Sequence, residues 1–448
     1  MTLFGKIKTN SIQIIALGFA TIILLGAFLL MLPIANRSGN SLPFLDALFT
    51  SSSATCVTGL VVYDTYTQFS LFGQIVILCL IQIGGLGFMT IATAFLTITH
   101  HKIGLAERGI LSESVSAFHI GGVVRLIKRV ILCVTIFEGV GAILLSIRFC
   151  PQMGIASGIY YAIFHSISAF CNAGFDLMGR FSSYTSLVPY QGDILVNITV
   201  ISLIVIGGLG FVVWDDIIEQ RHHWSRYKLH TKIILVSTAV LIVGGAVLFY
   251  IMEKENSLSE MTSTGKVLAS LFQSVTPRTA GFNTVDIAAL SEGGTMLSML
   301  LMLIGASPGS TGGGIKTATV VAILAATVSY IRGNDDINLF HRRLEGGIVK
   351  RAYCSATIYV ALALLGTFLL VTLQSLPAKD AAFEVLSAIG TVGLSTGITR
   401  ELNELSRAVI ILLMYSGRVG SLTLAMAILS KVSKKSGFKN PEEKILIG

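Results

Sequence analysis

Four times the sequence opens a short segment on phenylalanine, passes through small residues and closes on glycine. These segments lie at residues 49–60, 164–175, 272–282 and 383–394, each between stretches long enough to cross a membrane. The separations Phe49 to Gly59, Phe164 to Gly174, Phe272 to Gly281 and Phe383 to Gly393 are 10, 10, 9 and 10 residues, so the third copy is one residue short and the period survives. Four like loops gathered around one axis line a pore with backbone carbonyls, the arrangement that replaces the hydration shell of a bare cation.

Composition gives the compartment. With 53% hydrophobic and 12% charged residues and a mean hydropathy of +0.78, the chain is too apolar for a soluble globule. Runs of roughly 20 or more nearly uncharged residues recur at 11–35, 72–98, 129–149, 194–214, 233–252, 295–331, 352–376 and 407–430, which predicts an all-α polytopic membrane protein with eight main spans. The first run is too long for a signal-peptide core and no small-residue cleavage site follows it, so it is expected to stay in the mature protein. With both termini cytoplasmic, 21 of the 32 lysines and arginines fall on the inner side, in the loops 99–129, 219–232 and 332–351 and at the two termini. That bias follows the positive-inside rule. The net charge of +8 is therefore an orientation signal, and no nucleic-acid partner is expected. Cys56, Cys79, Cys133, Cys150, Cys171 and Cys354 have no paired spacing, which suggests neither a disulfide framework nor a zinc site.

The repetition extends beyond the loops. Leu42, Pro43, Asp46, Ala47 and Phe49 recur as Leu376, Pro377, Asp380, Ala381 and Phe383, with the proline 16 and the aspartate 13 residues before the loop glycine in both. Ile83-Gly84-Gly85-Leu86-Gly87-Phe88 recurs as Ile206-Gly207-Gly208-Leu209-Gly210-Phe211, with Ile304-Gly305-Ala306-Ser307-Pro308 and Ser416-Gly417-Arg418-Val419-Gly420 in the equivalent places. Each unit reads as span, pore loop, span, and the expected division is 1–98, 99–218, 219–331 and 332–430, with a cytoplasmic tail at 431–448. Units that enter and leave on one side share an orientation, so a single chain can close a pseudo-fourfold ring around a central pore.

Each loop is expected to begin as a short re-entrant helix, since a dozen residues cannot cross the bilayer. Its C-terminal end, carrying partial negative charge, then points toward mid-membrane and stabilises a desolvated cation. The return as extended backbone is tolerable at that depth only where it lines a wet cavity. The candidate ion-binding residues are Val57, Thr58 and Gly59; Asn172, Ala173 and Gly174; Thr279, Ala280 and Gly281; and Thr391, Val392 and Gly393. None is charged. A carboxylate ring would suit a divalent ion, whereas carbonyl selection points to a monovalent cation, with potassium favoured because it gives up its water more easily than sodium.

These residues resemble the superfamily of potassium transporters made up of the bacterial Trk and Ktr membrane subunits and the plant HKT proteins. The likeness is carried by Thr58-Gly59-Leu60, Asn172-Ala173-Gly174-Phe175, the run Thr276 to Asn283, Thr391-Val392-Gly393-Leu394 and the stretch Gly305 to Lys316, in this order over almost the whole chain. Gly59 matches the potassium-selective members, and the short N-terminus looks like the Ktr branch. The resemblance implies potassium uptake across a bacterial inner membrane by a non-enzymatic subunit. It implies a homodimer docked on a cytosolic, KtrA-like nucleotide-binding ring. No cofactor is expected in this chain, nucleotide being confined to the partner; a sodium dependence stays open.

The run Gly309 to Gly314 breaks the sixth span, because glycine costs about 1 kcal/mol per residue in a helix. Lys316 and Arg418 are the cations placed at membrane depth, where charge is costly and commonly functional. In the family the broken helix forms a loop beneath the filter. Gly312, Gly313 and Gly314 are accordingly expected to form a movable gate with Lys316, and Arg418 to anchor it or set a cation barrier; a structural bond from Arg418 to helix-end carbonyls is the alternative. A sodium or other monovalent-cation transporter is the main rival function. An ATP-using enzyme is disfavoured because Ile315 separates the glycines from Lys316-Thr317, which breaks the Walker spacing. A hydrolase using His165 with Ser166 or Ser168 lacks a base-orienting acid, and His165 is expected to make structural hydrogen bonds.

Overall fold

A computed structural model describes residues 11–87, 89–91, 122–221, 223–429, 441 and 443, so most of the basic loop 99–129 and nearly all of the tail lie outside the described residues. Helix dominates because a backbone surrounded by apolar medium must satisfy its own N–H and C=O groups. In chain order the helices are α1 (Ser11–Met31), α2 (Phe44–Thr55), α3 (Thr65–Gln68), α4 (Leu71–Leu86), α5 (Val123–Met153), α6 (Ile155–Phe170), α7 (Ile194–Leu209) and α8 (Phe211–Gln220). They continue as α9 (Leu229–Glu253), α10 (Ser263–Val275), α11 (Glu292–Leu303), α12 (Thr317–Ile331), α13 (Gly346–Gln374), α14 (Ala378–Gly390), α15 (Glu404–Val419) and α16 (Ser421–Leu429). A two-stranded hairpin, β1 (Asn338–Leu339) with β2 (Arg342–Arg343), joins α12 to α13.

The order is long helix, short helix, interrupted helix, four times over. Helices α1, α5, α9 and α13 are long and apolar enough to cross a membrane unaided. At about 1.5 Å per residue, the 21 residues of α1 reach about 30 Å, the thickness of the hydrocarbon layer. Leu17, Phe28, Ile143, Val240, Leu364 and Phe368 on these helices are more than half exposed, a surface that lipid tolerates and water does not. The chain is a multi-pass membrane protein. Short helices α2, α6, α10 and α14 bury Phe49, Phe164, Phe272 and Phe383 completely, so the phenylalanine that opens each repeated segment anchors its helix in the core.

The third member of each set is interrupted by a glycine within the runs 72–98, 194–214 and 407–430. Helix α4 ends at Gly87, α7 at Gly210 and α15 at Gly420, with φ of 79°, 99° and 95°. Glycine occupies this left-handed region without a Cβ clash, and α8 leaves α7 at 93°. Between α11 and α12 the break widens into the loop 304–316, closed at its base where Gly305 N donates to Ile315 O at 2.9 Å. Each interrupted helix starts at a side-chain cap: Ser70, Asp193, Ser291 and Asn403 accept from Gly73, Val196, Gly294 and Ser406 N–H groups. Such caps contribute about 1 kcal/mol each. A partly buried ion pair at 2.5 Å between Asp46 of α2 and Arg407 of α15, 361 residues apart, ties the end of the chain to its beginning.

Candidate functional site

Each short helix unwinds into a loop with the same backbone signature. Val57, Asn172, Thr279 and Thr391 have φ of 57°, 58°, 74° and 52°, and two residues later Gly59, Gly174, Gly281 and Gly393 have φ of 93°, 69°, 81° and 92°. A positive φ at a β-branched residue is an outlier, and three of the first four are valine or threonine. Strain of this kind costs about 1–3 kcal/mol per residue and persists where the surroundings over-determine it.

The glycines explain what holds it. A Cβ on Gly59 would lie 2.6 Å from Ala173 O, one on Gly174 2.9 Å from Ala280 O, and one on Gly281 2.6 Å from Val392 O. One on Gly393 would collide with Thr58 O. Each loop glycine thus backs directly onto a carbonyl of the next loop, and the fourth onto the first. The structure brings together the glycines and the residues preceding them, with Asn172 and Thr279 linked through their side chains at 3.1 Å.

Sequence reasoning missed the braces behind these loops. Ser53 Oγ accepts from Gly59 N at 3.1 Å and Ser387 Oγ accepts from Gly393 N at 3.0 Å. Ser168 Oγ donates to Phe175 O at 2.7 Å, and Thr276 Oγ1 donates to Phe282 O. The signal was present, since a serine or threonine lies six residues before each glycine, five in the short copy. His165 is buried and bonds Tyr161 O through Nδ1 at 2.7 Å, while its Nε2 accepts from Leu177 N at 3.3 Å. Both nitrogens are occupied by backbone, as its expected structural role requires.

Two cavities lie on opposite sides of the loops. One, of about 450 Å³, is lined by all four loop glycines and by Asp64, Asp176, Asp286 and Glu401, which make its mouth acidic. Burial, reinforced by Asp64, pushes the Asp176 carboxyl up to about 7. The other, of about 330 Å³, is lined by Gly312, Gly314, Lys316, Tyr359 and Arg418.

The glycine-rich loop lines the second of them. Gly313 N donates to Thr391 Oγ1 at 3.0 Å, and Lys316 Nζ donates to Gly312 O at 2.6 Å. Gly314 packs on Gly305, its Cα 2.9 Å from where a Cβ of Gly305 would stand. Arg418 donates to a carbonyl of the glycine-rich loop, Thr311 O, and to two carbonyls at the end of α4, Gly84 O and Gly85 O.

Over residues 8–438 the chain matches the TrkH family, described as cation transport protein. It is 40% identical to the potassium/sodium uptake protein NtpJ of Enterococcus hirae over 98% of both chains. It is 41% identical to the Ktr system potassium uptake protein B of Bacillus subtilis over 97% of this chain and 96% of that one. The crystal structure of the potassium transporter TrkH from Vibrio parahaemolyticus shares the fold, with a TM-score of 0.74 at 18% identity over 96% of this chain and 87% of that one. Family membership makes the chain a transporter and not an enzyme: it belongs to the TrkH/Ktr family of cation transport proteins.

Proposed function

We propose that this chain takes up potassium through a selectivity filter formed by the four loops, arranged as four pseudo-fourfold units at 1–98, 99–218, 219–331 and 332–430. The observation that carries the reading is the cyclic contact of Gly59, Gly174, Gly281 and Gly393 with the carbonyls of Ala173, Ala280, Val392 and Thr58. Backbones this close leave no space for side chains, so a passing ion meets carbonyl oxygens. Val57, Asn172, Thr279 and Thr391 hold the inner end. Gly312, Gly313 and Gly314 gate it, with Lys316 and Arg418 as fasteners. The relatives' names support the ion, and the term Ktr system supports a further component; in this reading that component is a cytosolic nucleotide-binding ring docked on a homodimer in the bacterial cell membrane, with both termini inside. The chain itself needs no cofactor.

Potassium uptake into proteoliposomes, with sodium as competitor, tests the reading. The native chain is expected to prefer potassium and Gly59→Ser to lose the preference, because any Cβ at Gly59 displaces Ala173 O. Equal potassium and sodium flux in the native chain would overturn the ion assignment. That outcome would favour a second reading, a mixed monovalent-cation transporter, which the potassium/sodium name of the Enterococcus hirae relative supports.

A further inference from the structure

The residue after each anchoring phenylalanine is polar: Thr50, His165, Gln273 and Glu384. All four are buried in the core, where a polar group costs free energy unless it is hydrogen-bonded. Their partners differ. Thr50 Oγ1 donates to Asp46 O of its own helix at 3.0 Å, and the Gln273 amide has no hydrogen-bond partner among the described residues. His165 and Glu384 instead reach forward, to the chain that returns past the loop glycine. Leu177, whose N–H His165 Nε2 accepts, lies three residues beyond Gly174. Ser395, whose hydroxyl donates to Glu384 Oε2 at 2.8 Å, lies two beyond Gly393, and Thr399 Oγ1 donates to Glu384 Oε1.

Glu384 stands apart as a carboxylate without a cation. Among the described residues no lysine or arginine forms an ion pair with it, and both its oxygens are taken by hydroxyls. Ser395 Oγ also accepts from Gly397 N at 3.0 Å and lies 2.9 Å from Thr399 Oγ1. Residues 395, 397 and 399 are thereby tied to α14, and all three line the cavity of about 450 Å³ together with Gly393. One turn along the same helix Ser387 Oγ accepts from Gly393 N, so the fourth loop is held at its glycine and just beyond it. The glycine–carbonyl contacts run from the first loop to the second, third, fourth and back to the first. The second and fourth loops, which carry the forward bonds, therefore stand across the ring from each other.

We propose that Glu384 is a positioning residue for ion selection, resting on the cation-pore reading above. It acts through Ser395 and Thr399, which fix the outer return of the fourth loop and with it the carbonyls of Val392 and Gly393. Hydrogen bonds to a carboxylate are roughly twice as strong as those between neutral groups, so a neutral amide of the same shape holds this return less firmly. Selection by carbonyls depends on their placement, so a loosened return loses discrimination and affinity before it loses maximal flux.

The test measures potassium and sodium uptake by full chains in proteoliposomes: native, Glu384→Gln, Ser395→Ala with Thr399→Val, all three substitutions together, and Thr50→Val. Glu384→Gln is expected to raise half-saturating potassium ~5-fold and lower the potassium-to-sodium ratio as much, with maximal flux within ~2-fold of native. The chain with Ser395→Ala and Thr399→Val should reproduce those shifts, and the triple variant should add nothing, because groups that act as one unit are not additive. Thr50→Val, at the matching place but bonded within its own helix, should leave both values native. Native half-saturation and ratio in Glu384→Gln would overturn the inference. So would full additivity in the triple variant, which would mean that the carboxylate works by charge alone, or an equal shift in Thr50→Val, which would trace the effect to helix packing. A native chain without preference for potassium would remove the pore reading and this inference together, whereas a preference unchanged in the variants removes only the inference. Should Glu384→Gln not elute as the native chain does, Ser395→Ala and Thr399→Val singly carry the test, and native values in both overturn it.

Discussion

Three of the four interrupted helices and the remaining one solve the same packing problem differently. Gly84, Gly207 and Gly417 lie three residues before the breaks at Gly87, Gly210 and Gly420. A Cβ on any of them would collide with a carbonyl in the last turn of the preceding short helix: Thr55, Phe170 or Ile389. In the third set Gly305 holds the equivalent place, yet a Cβ there would collide with Gly313 O of its own loop. Where three copies press helix against helix, the third has admitted a strand of its own backbone. A scaffold packed alike three times over leaves one copy free to depart from it.

The largest expected effect comes from asking whether these glycines are as different as they look. Gly84→Ala, Gly207→Ala or Gly417→Ala overpacks backbone against backbone and should destabilise the protein by about 3 kcal/mol, read as loss of the monomeric or dimeric elution peak after graded heating. Gly305→Ala should fold and leak instead, because the atom it displaces belongs to the loop. Equal heat lability in all four variants would erase the distinction. Next, removing residues 309–314 should raise potassium flux ~10-fold with the potassium-to-sodium ratio unchanged, equivalent to lowering a barrier by about 1.4 kcal/mol. A changed ratio would mean the loop also selects.

Gly420→Ala should be milder than either. The nearest atom to a Cβ there is Thr423 Oγ1 at 3.3 Å, so the strain of the 95° φ is the main cost, about 1–2 kcal/mol in thermal unfolding. The smallest effect lies at the acidic cavity lined by the loop glycines. Two residues after its loop glycine the second set has Asp176 and the third Asn283. With its pKa pushed up to about 7, Asp176 is neutral below that pH and charged above it. A negative mouth concentrates cations, so uptake from dilute potassium should rise ~2-fold from pH 6 to pH 8 and become flat in Asp176→Asn. A pH response surviving that substitution would assign it elsewhere.

The loop glycines and the glycine-rich run were legible in the sequence for a physical reason. Glycine at a matching distance from a buried phenylalanine leaves few alternatives once it recurs four times. The breaks at Gly87, Gly210 and Gly420 were not legible, because hydropathy averages over a window and the residues beyond stay apolar: Phe211-Val-Val-Trp214 after one break, Ser421-Leu-Thr-Leu424 after another. A single glycine in an apolar run reads as helix packing until its φ is known. Ser53, Ser168, Thr276 and Ser387 were passed over because small hydroxyl residues are common in such helices, and only a bond to the returning loop separates a brace from a bystander. Arg418 was found by its charge, but its three carbonyl partners lie 107, 334 and 333 residues away in sequence and no spacing rule reaches that far.

The contact between Gly393 and Thr58 and the Asp46–Arg407 ion pair join the last quarter of the chain to the first. During synthesis the first loop therefore waits for a partner 361 residues downstream at the ion pair, tens of seconds at ~5–20 residues per second. Until then Asp46 lacks the arginine that neutralises it, and Thr58 O has no glycine against it. A nascent chain in this interval is an open arc whose Asp46 has only Tyr63 for a partner, a form that a truncated message would leave permanently unfinished.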